Sequence, residues 1–215
     1  MSTQHIWEVK AKNTPLLKKK CSHCNSERFQ CSDKFRLNAQ KKNIDIWLIY
    51  RCVKCNNTYN MAVFSRIRTE SISKEIFNQF SENDTEIAWK YAFSQEVIRK
   101  NNVEADWESV AYEILYPNFS VEDLINMNEE MISFQIRSSF DFNMRLSTVT
   151  RTCLELSSSK LNLLFESDAV YCNEKPFQKM YKFKNGDVIK VNRQILINTY
   201  LIGKENLFLS TVDGQ

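Results

Sequence analysis

Glycine and proline are scarce in this chain of 215 residues, with three of each, and that scarcity removes the compositions that make flexible or Pro-rich linkers. Modules, where they exist, must abut through structured connections. Histidine is rarer still: only His5 and His23 are present. Neither stands in a recognisable nucleophile–base arrangement, and no Gly-rich phosphate-cradling loop occurs. Chemistry by Asp, Glu or Lys is left open, so an enzyme ranks third among the function classes. No run approaches the roughly 20 apolar residues of a membrane helix, and no basic start precedes an apolar stretch of signal-peptide length. The expectation is a cytoplasmic protein without a membrane partner.

What is there is a 43% hydrophobic composition, enough for packed cores, and a net charge of +3 that hides a strong segregation. Residues 1–68 carry +10, 69–141 carry −10, 142–193 carry +4 and the last stretch carries −1. Basic ends around an acidic middle mean either two nucleic-acid-facing modules on a spacer or modules that dock on the spacer and cancel its charge. Four segments follow from these breaks and the motifs below: 1–68, 69–141, 142–193 and 194–215, the last a strand or tail.

Seven cysteines in a chain without an export signal read as thiols, and paired ones as metal ligands. Cys21-Ser-His-Cys24 and Cys52-Val-Lys-Cys55 are two CxxC pairs whose separation lets two knuckles face each other across a small sheet. Four thiolates then close a tetrahedron around one structural Zn2+. Asn25 and Asn56 follow the second cysteine of each pair, where a positive φ is expected and asparagine is the best substitute for glycine. Lys34–Ala39, Ile44–Arg51 and Thr58–Phe64 read as the strands of a zinc ribbon. The competing reading is buried apolar cysteines or a redox pair, but the βαβ context of a thioredoxin-like CxxC is missing. Four sulfurs leave no open position for water, so the metal builds structure and does not hydrolyse. Such a site is worth about 10 to 16 kcal/mol in peptide models, so metal removal is expected to unfold a short ribbon. His23 is expected to face solvent, and Cys31 to be a strand residue. Lys18, Lys19, Lys20, Lys41 and Lys42, with Phe35, Trp47 and Tyr50 as stacking groups, form a candidate nucleic-acid surface, ordinary solubility and strand burial being the bland alternatives.

The acidic middle predicts a helix capped at Ser71 or Ser73 with Ile76 and Phe80 inward, and a second from Asp84 to Asn101. Trp107–Tyr116 and Met131–Phe142 alternate as strands, and Ser120-Val-Glu-Asp123 fits a capping box. From Arg145 onward two short helices meet at a polar joint, and strands follow at Ala169–Cys172 and Val188–Val191 across the Asn185-Gly186-Asp187 turn. The fold class is therefore α+β: a small amino-terminal β-sheet, a helical and strand middle, and an ααββ carboxy-terminal module.

The start Arg145-Leu146, the joint Leu156-Ser157-Ser158, the strand Ala169 to Asn173 and the end Lys184-Asn185-Gly186-Asp187-Val188-Ile189 resemble the S4-type RNA-binding domain. That domain is found in a ribosomal small-subunit protein, pseudouridine synthases and tyrosyl-tRNA synthetases. The resemblance implies contacts to structured RNA through Arg145, Arg151, Lys160 and Lys175. The sequence departs from the family in the second helix, which has Ser159 and Asn162 around its single Lys160, and at Ser167 or Asp168, where glycine is usual. Ile6 to Lys10, Cys31 to Asn43 and Trp89 to Ser94 make the whole chain similar to an uncharacterised bacterial family, domain of unknown function 1062, which brings no catalytic residues with it. Together these features imply a non-catalytic, zinc-containing protein that contacts structured RNA; the alternative is a protein–protein adaptor or regulatory protein.

Overall fold

A computed structural model describes residues 4–141 and 143–202, and the fold is α+β. In chain order the first elements are β1 (Gln4–Ala11), β2 (Leu16–Lys18), β3 (Arg28–Gln40), β4 (Asn43–Cys52) and β5 (Thr58–Arg68). Then come α1 (Lys74–Glu82), α2 (Thr85–Ala92), α3 (Gln95–Lys100), β6 (Glu104–Asp106), β7 (Tyr112–Leu115), α4 (Val121–Asn126) and β8 (Met131–Ser138). The remainder is α5 (Leu146–Cys153), α6 (Ser158–Glu166), β9 (Val170–Cys172), β10 (Lys175–Pro176), β11 (Val188–Asn192) and α7 (Arg193–Leu201). None of these helices is long and apolar enough to cross a membrane. The described residues fall into two compact units: 11–112 with 140–141, and 4–10 with 113–139 and 143–202.

In the unit of Ala11–Tyr112, a five-stranded sheet runs in the order β5-β4-β3-β2-β6. Its strands pair antiparallel. The period of two explains β4: Ile44, Ile46, Leu48, Tyr50 and Cys52 are buried, whereas Asp45, Trp47, Ile49 and Arg51 alternate toward the other face. The buried set packs with Phe35, Met61 and Val63 against Phe80, Ile87, Ala88 and Ala92 of α1 and α2. Ser73 caps α1, as the sequence suggests, by accepting from Ile76 N at 3.3 Å. The expected helix from Asp84 to Asn101 is two helices. Asp84 caps α2 through Ile87 N at 2.9 Å, but Ser94 then accepts from Val97 N at 3.3 Å and starts α3. A serine that offers its hydroxyl to the backbone makes a new N-terminus where apolar spacing alone reads as continuous helix. Asn101 at the end of α3 clamps the outer edge of β5: its Oδ1 accepts from Ala62 N and its Nδ2 donates to Ala62 O, both at 2.8 Å. Mid-strand, that amide stands in for a neighbouring strand.

In the other unit the sheet order is β10-β9-β11-β8-β1-β7. β1 lies parallel to β8 with His5 opposite Phe134 and Trp7 opposite Ile136. Trp7 stacks on Phe134 at 4.3 Å between centroids, and both are fully buried. Leu146, Val149, Leu161, Leu164 and Leu196 of α5, α6 and α7 complete this core. The expected capping box is present at Ser120 and Asp123 and opens α4. The Asn185-Gly186 turn is fixed by the buried Asp187, whose carboxylate accepts from Lys184 N at 2.7 Å, Asn173 Nδ2 at 2.8 Å and the Tyr181 hydroxyl at 3.2 Å. Burial first, and then the Asp187 carboxylate, push the Tyr181 phenol up to about 12.

The expected four segments do not coincide with these units. β1, placed by sequence with the cysteines, pairs with β8, while α1 to α3 and β6 of the acidic middle complete the cysteine-bearing unit. The stretch from residue 194, expected as a strand or tail, is helical to Leu201, with Asn192 as its cap through Ile195 N at 3.1 Å. Residues 203–215 lie outside the described residues.

Candidate functional site

The two knuckles occupy the β2–β3 and β4–β5 connections. Each is closed by the same local bond: Cys21 N donates to Ser26 O and Cys52 N to Asn57 O, both at 2.8 Å. Asn56 has φ of 58°, as its position after Cys55 suggests. Asn25 is not among the positive-φ residues; its side chain instead accepts from Lys54 Nζ at 2.6 Å, which ties one knuckle to the other. The matching motif therefore hides different roles for the two asparagines.

The four sulfurs of Cys21, Cys24, Cys52 and Cys55 lie within 4.8 Å of one another. The Cys21–Cys55 and Cys24–Cys52 pairs are 3.6 Å apart. A tetrahedron with metal–sulfur bonds of about 2.3 Å has edges of about 3.8 Å, whereas a disulfide needs about 2.05 Å. All four cysteines are free thiols, and their spacing suits one metal ion. Backbone N–H groups point at the sulfurs: His23 N donates to Cys21 Sγ at 3.4 Å. That bond, ahead of opposing burial, holds the Cys21 thiol below its ordinary value. Burial resists ionisation at Cys52, but the N–H groups of Cys55 and Lys54 bring it down to about 6. At Cys55 the Asn57 N–H favours the thiolate, yet burial and the three neighbouring sulfurs push it up to about 12. Charge crowded this closely is relieved by a cation at the centre.

The other cysteines take no part. Cys31 lies in β3 and is pushed up to about 12 by burial, Cys172 is pushed up to about 11 by burial and then by Asp187, and Cys153 is raised by burial. His23 is exposed and pairs with Ser22 Oγ at 3.0 Å. Asn57, which the motif does not mark, brings Nδ2 to 3.3 Å from Ser22 Oγ and 3.9 Å from Cys21 Sγ.

The cationic candidates separate. Arg145, the N-cap of α5, and Arg151, in its last turn, line one groove with Ser158 of α6, Phe165 and Lys179. Phe165 stacks on Phe177 at 4.5 Å. Lys179 lies over the Phe165 ring at 5.9 Å. Lys160 is turned away to donate to Tyr200 O at 3.1 Å, and Lys175 is exposed on β10. Lys41 and Lys42 are exposed at the tip of the β3–β4 hairpin, where Lys41 has φ of 54°. Of the proposed stacking groups, Phe35 and Tyr50 belong to the buried face of their strands, at 8% and 0% exposure, and only Trp47 lies on the other face. Lys179 is the residue sequence alone undervalued; its signal was its place among Lys175, Lys182 and Lys184 before the Asn185-Gly186 turn.

No curated protein and no solved structure matches the chain. One family model does, over residues 37–176, which takes in the second knuckle, Arg145 and Arg151. Because that match spans more than half the sequence, the chain belongs to the family described as Protein of unknown function (DUF1062).

Proposed function

We propose that this protein is a non-catalytic nucleic-acid-binding protein that contacts structured RNA and whose cysteine-bearing sheet is a zinc ribbon stabilised by one Zn2+. Four soft sulfur donors at near-tetrahedral spacing favour zinc over hard cations, and a set closed by four thiolates gives structure and leaves no site for a reacting water. Bound zinc supplies a cross-link between the two knuckles; Lys54, Asn25 and Asn57 hold them in register from outside the ligand set.

The observation that carries the nucleic-acid reading is the groove of Arg145, Arg151 and Lys179 beside Phe165, in which no lining residue is a carboxylate. Guanidinium groups recognise phosphate oxygens in pairs, and hydroxyls such as Ser158 add neutral bonds to the sugar–phosphate backbone. These are residues that the S4-type resemblance assigns to RNA contact, with Lys179 in place of Lys160. Elemental analysis of the purified protein should give one zinc per chain. A labelled RNA hairpin should bind with an affinity that falls with salt at a log–log slope of roughly −2 to −3 for three cations, and R145E/R151E should flatten it. A flat salt response in the wild type, or wild-type binding by the double variant, refutes the proposal; a stoichiometric protein partner that survives nuclease treatment would favour an adaptor instead.

A further inference from the structure

The β3–β4–β5 surface opposite the buried core carries a second, differently built cationic site. Register places Arg36 and Ala62 on either side of Trp47, Lys34 and Asn60 on either side of Ile49, and Gln30 and Thr58 on either side of Arg51. Directly paired side chains on one face are about 5 Å apart at Cβ, so Trp47 and Ile49 form an apolar centre with cations as immediate neighbours. Neither residue is part of the buried cluster on the opposite face.

Two features point to an anionic partner. Cations toward the β2–β6 side are neutralised from within, Arg28 by Asp106 at 3.0 Å and Lys18 by Glu104. Lys34, Arg36 and Arg51 are exposed and, among the described residues, make no ion pair. The carboxylate in these rows, Asp45, is used locally as an acceptor for Arg66 N at 2.8 Å. Evolution of charge for solubility alone gives no reason for pairing on one side and its absence around the tryptophan.

We infer that this outer face is a platform for single-stranded RNA, with Trp47 stacking an unpaired base, Ile49 extending the apolar floor, and Lys34, Arg36 and Arg51 neutralising phosphates. A sheet face with a central aromatic residue fits splayed bases and not the closed stack of a duplex, whereas in the groove at Arg145 the Phe165 ring is already stacked on Phe177 and lies under Lys179. The assignment extends the nucleic-acid reading above to a second surface, but it stands on different residues and a different form of the ligand.

The test uses the full chain, a fluorescein-labelled oligouridylate and the RNA hairpin, read by anisotropy. Loss of one base stack corresponds to about 5- to 150-fold, so W47A should weaken oligouridylate binding at least about 5-fold, while W47F, which keeps a ring, should stay closer to wild type. K34E/R36E/R51E should abolish binding and remove a salt slope of about −2, the value for three phosphates on a single strand. R145E/R151E should bind oligouridylate as wild type does. Unchanged binding by W47A and the triple variant, both melting as wild type, overturns the platform, as does displacement of the probe by polyglutamate as readily as by unlabelled oligouridylate. If the hairpin still binds in those cases, the groove proposal survives alone; if wild type binds neither RNA, both fail.

Discussion

Removing the metal should loosen one end of the cysteine-bearing sheet and leave the other end folded. A short ribbon would have little else to hold it, and its sequence suggests that the ribbon unfolds on chelation. The structure changes that expectation. Ile44, Ile46, Leu48, Met61, Phe80 and Ile87 are each at most 5% exposed. At about 1.5 to 3 kcal/mol per buried side chain they contribute roughly 9 to 18 kcal/mol of gross burial, comparable to the about 10 to 16 kcal/mol of a structural zinc site. Location then decides the outcome. Ile44 and Cys52 are at opposite ends of β4, about 27 Å apart at roughly 3.4 Å per residue, and Phe80 of α1 packs on Phe35 and Phe64, the cross-strand partners of Leu48 and Ile46 in the middle of the strand. Hydrogen exchange by NMR, before and after treatment with a strong chelator, should show loss of protection at Cys21, Cys52, Asn56 and Asn57. The amides of Ile46 and Leu48 and those of α1 and α2 should keep theirs. Uniform loss along β4 and α1 would mean that the helices do not stabilise the sheet without metal, and the reasoning would fail; no loss at the knuckles would show that no metal was holding them.

Two further outcomes rest on partly buried polar bonds. Asn101→Ala deletes the two bonds to Ala62 and a third from Nδ2 to Val97 O, each at 2.8 Å, and at about 1 kcal/mol per bond should cost about 2 to 4 kcal/mol in urea unfolding; Asn101→Asp, which sets a carboxylate oxygen against two carbonyls, should cost more, and equal stability of all three proteins would contradict the clamp. The Tyr181 phenol, at about 12, lies above its unfolded value near 10, so its contribution to stability is fully present below pH 10 and is lost as pH rises toward 12. Absorbance titration of the wild type against Y181F should locate that phenol, and Asp187→Asn should lower it only part of the way, since burial is the larger cause; no movement at all would place the carboxylate elsewhere.

What was legible in the sequence was short-range chemistry. The CxxC pairs, the cap at Ser73 and the capping box at Ser120 are encoded within a few residues of where they act. Trp7 shows the limit. Trp7 lies in β1, whose pairing partners on β8 are more than a hundred residues away, and nothing local ties His5 to Phe134. The cysteine motif, being the strongest signal nearby, drew residues 1–68 into one segment, whereas β1 pairs with β8. Asn25 and Asn56 show a subtler limit: equal positions in two motifs predict equal backbone geometry, yet the Lys54 ammonium reaches Asn25 and gives its side chain another task. Period-two alternation also left the choice of face open on β4. The candidate nucleic-acid surface grouped Trp47 with Tyr50 as stacking aromatics, although residues three apart on a strand point to opposite sides.

Placement of Arg51 links the cysteine centre to the outer face. It immediately precedes Cys52, pairs with Gln30 across β3 and with Thr58 across β5, and so stands where the knuckle begins. Trp47 is four residues further into the sheet, above strands whose opposite face is packed by helices. An ion that fixes Cys52 therefore fixes the arginine next to it, whereas the tryptophan is positioned by the core alone. The outer face thus has one anchor that depends on the sulfurs and one that does not, and metal occupancy bears on its electrostatic reach more than on its stacking. On the proposed platform, an ion held by the tetrad would matter to the ligand without touching it, by keeping the end of a strand rigid enough for one guanidinium to stay aligned with the rest of the face.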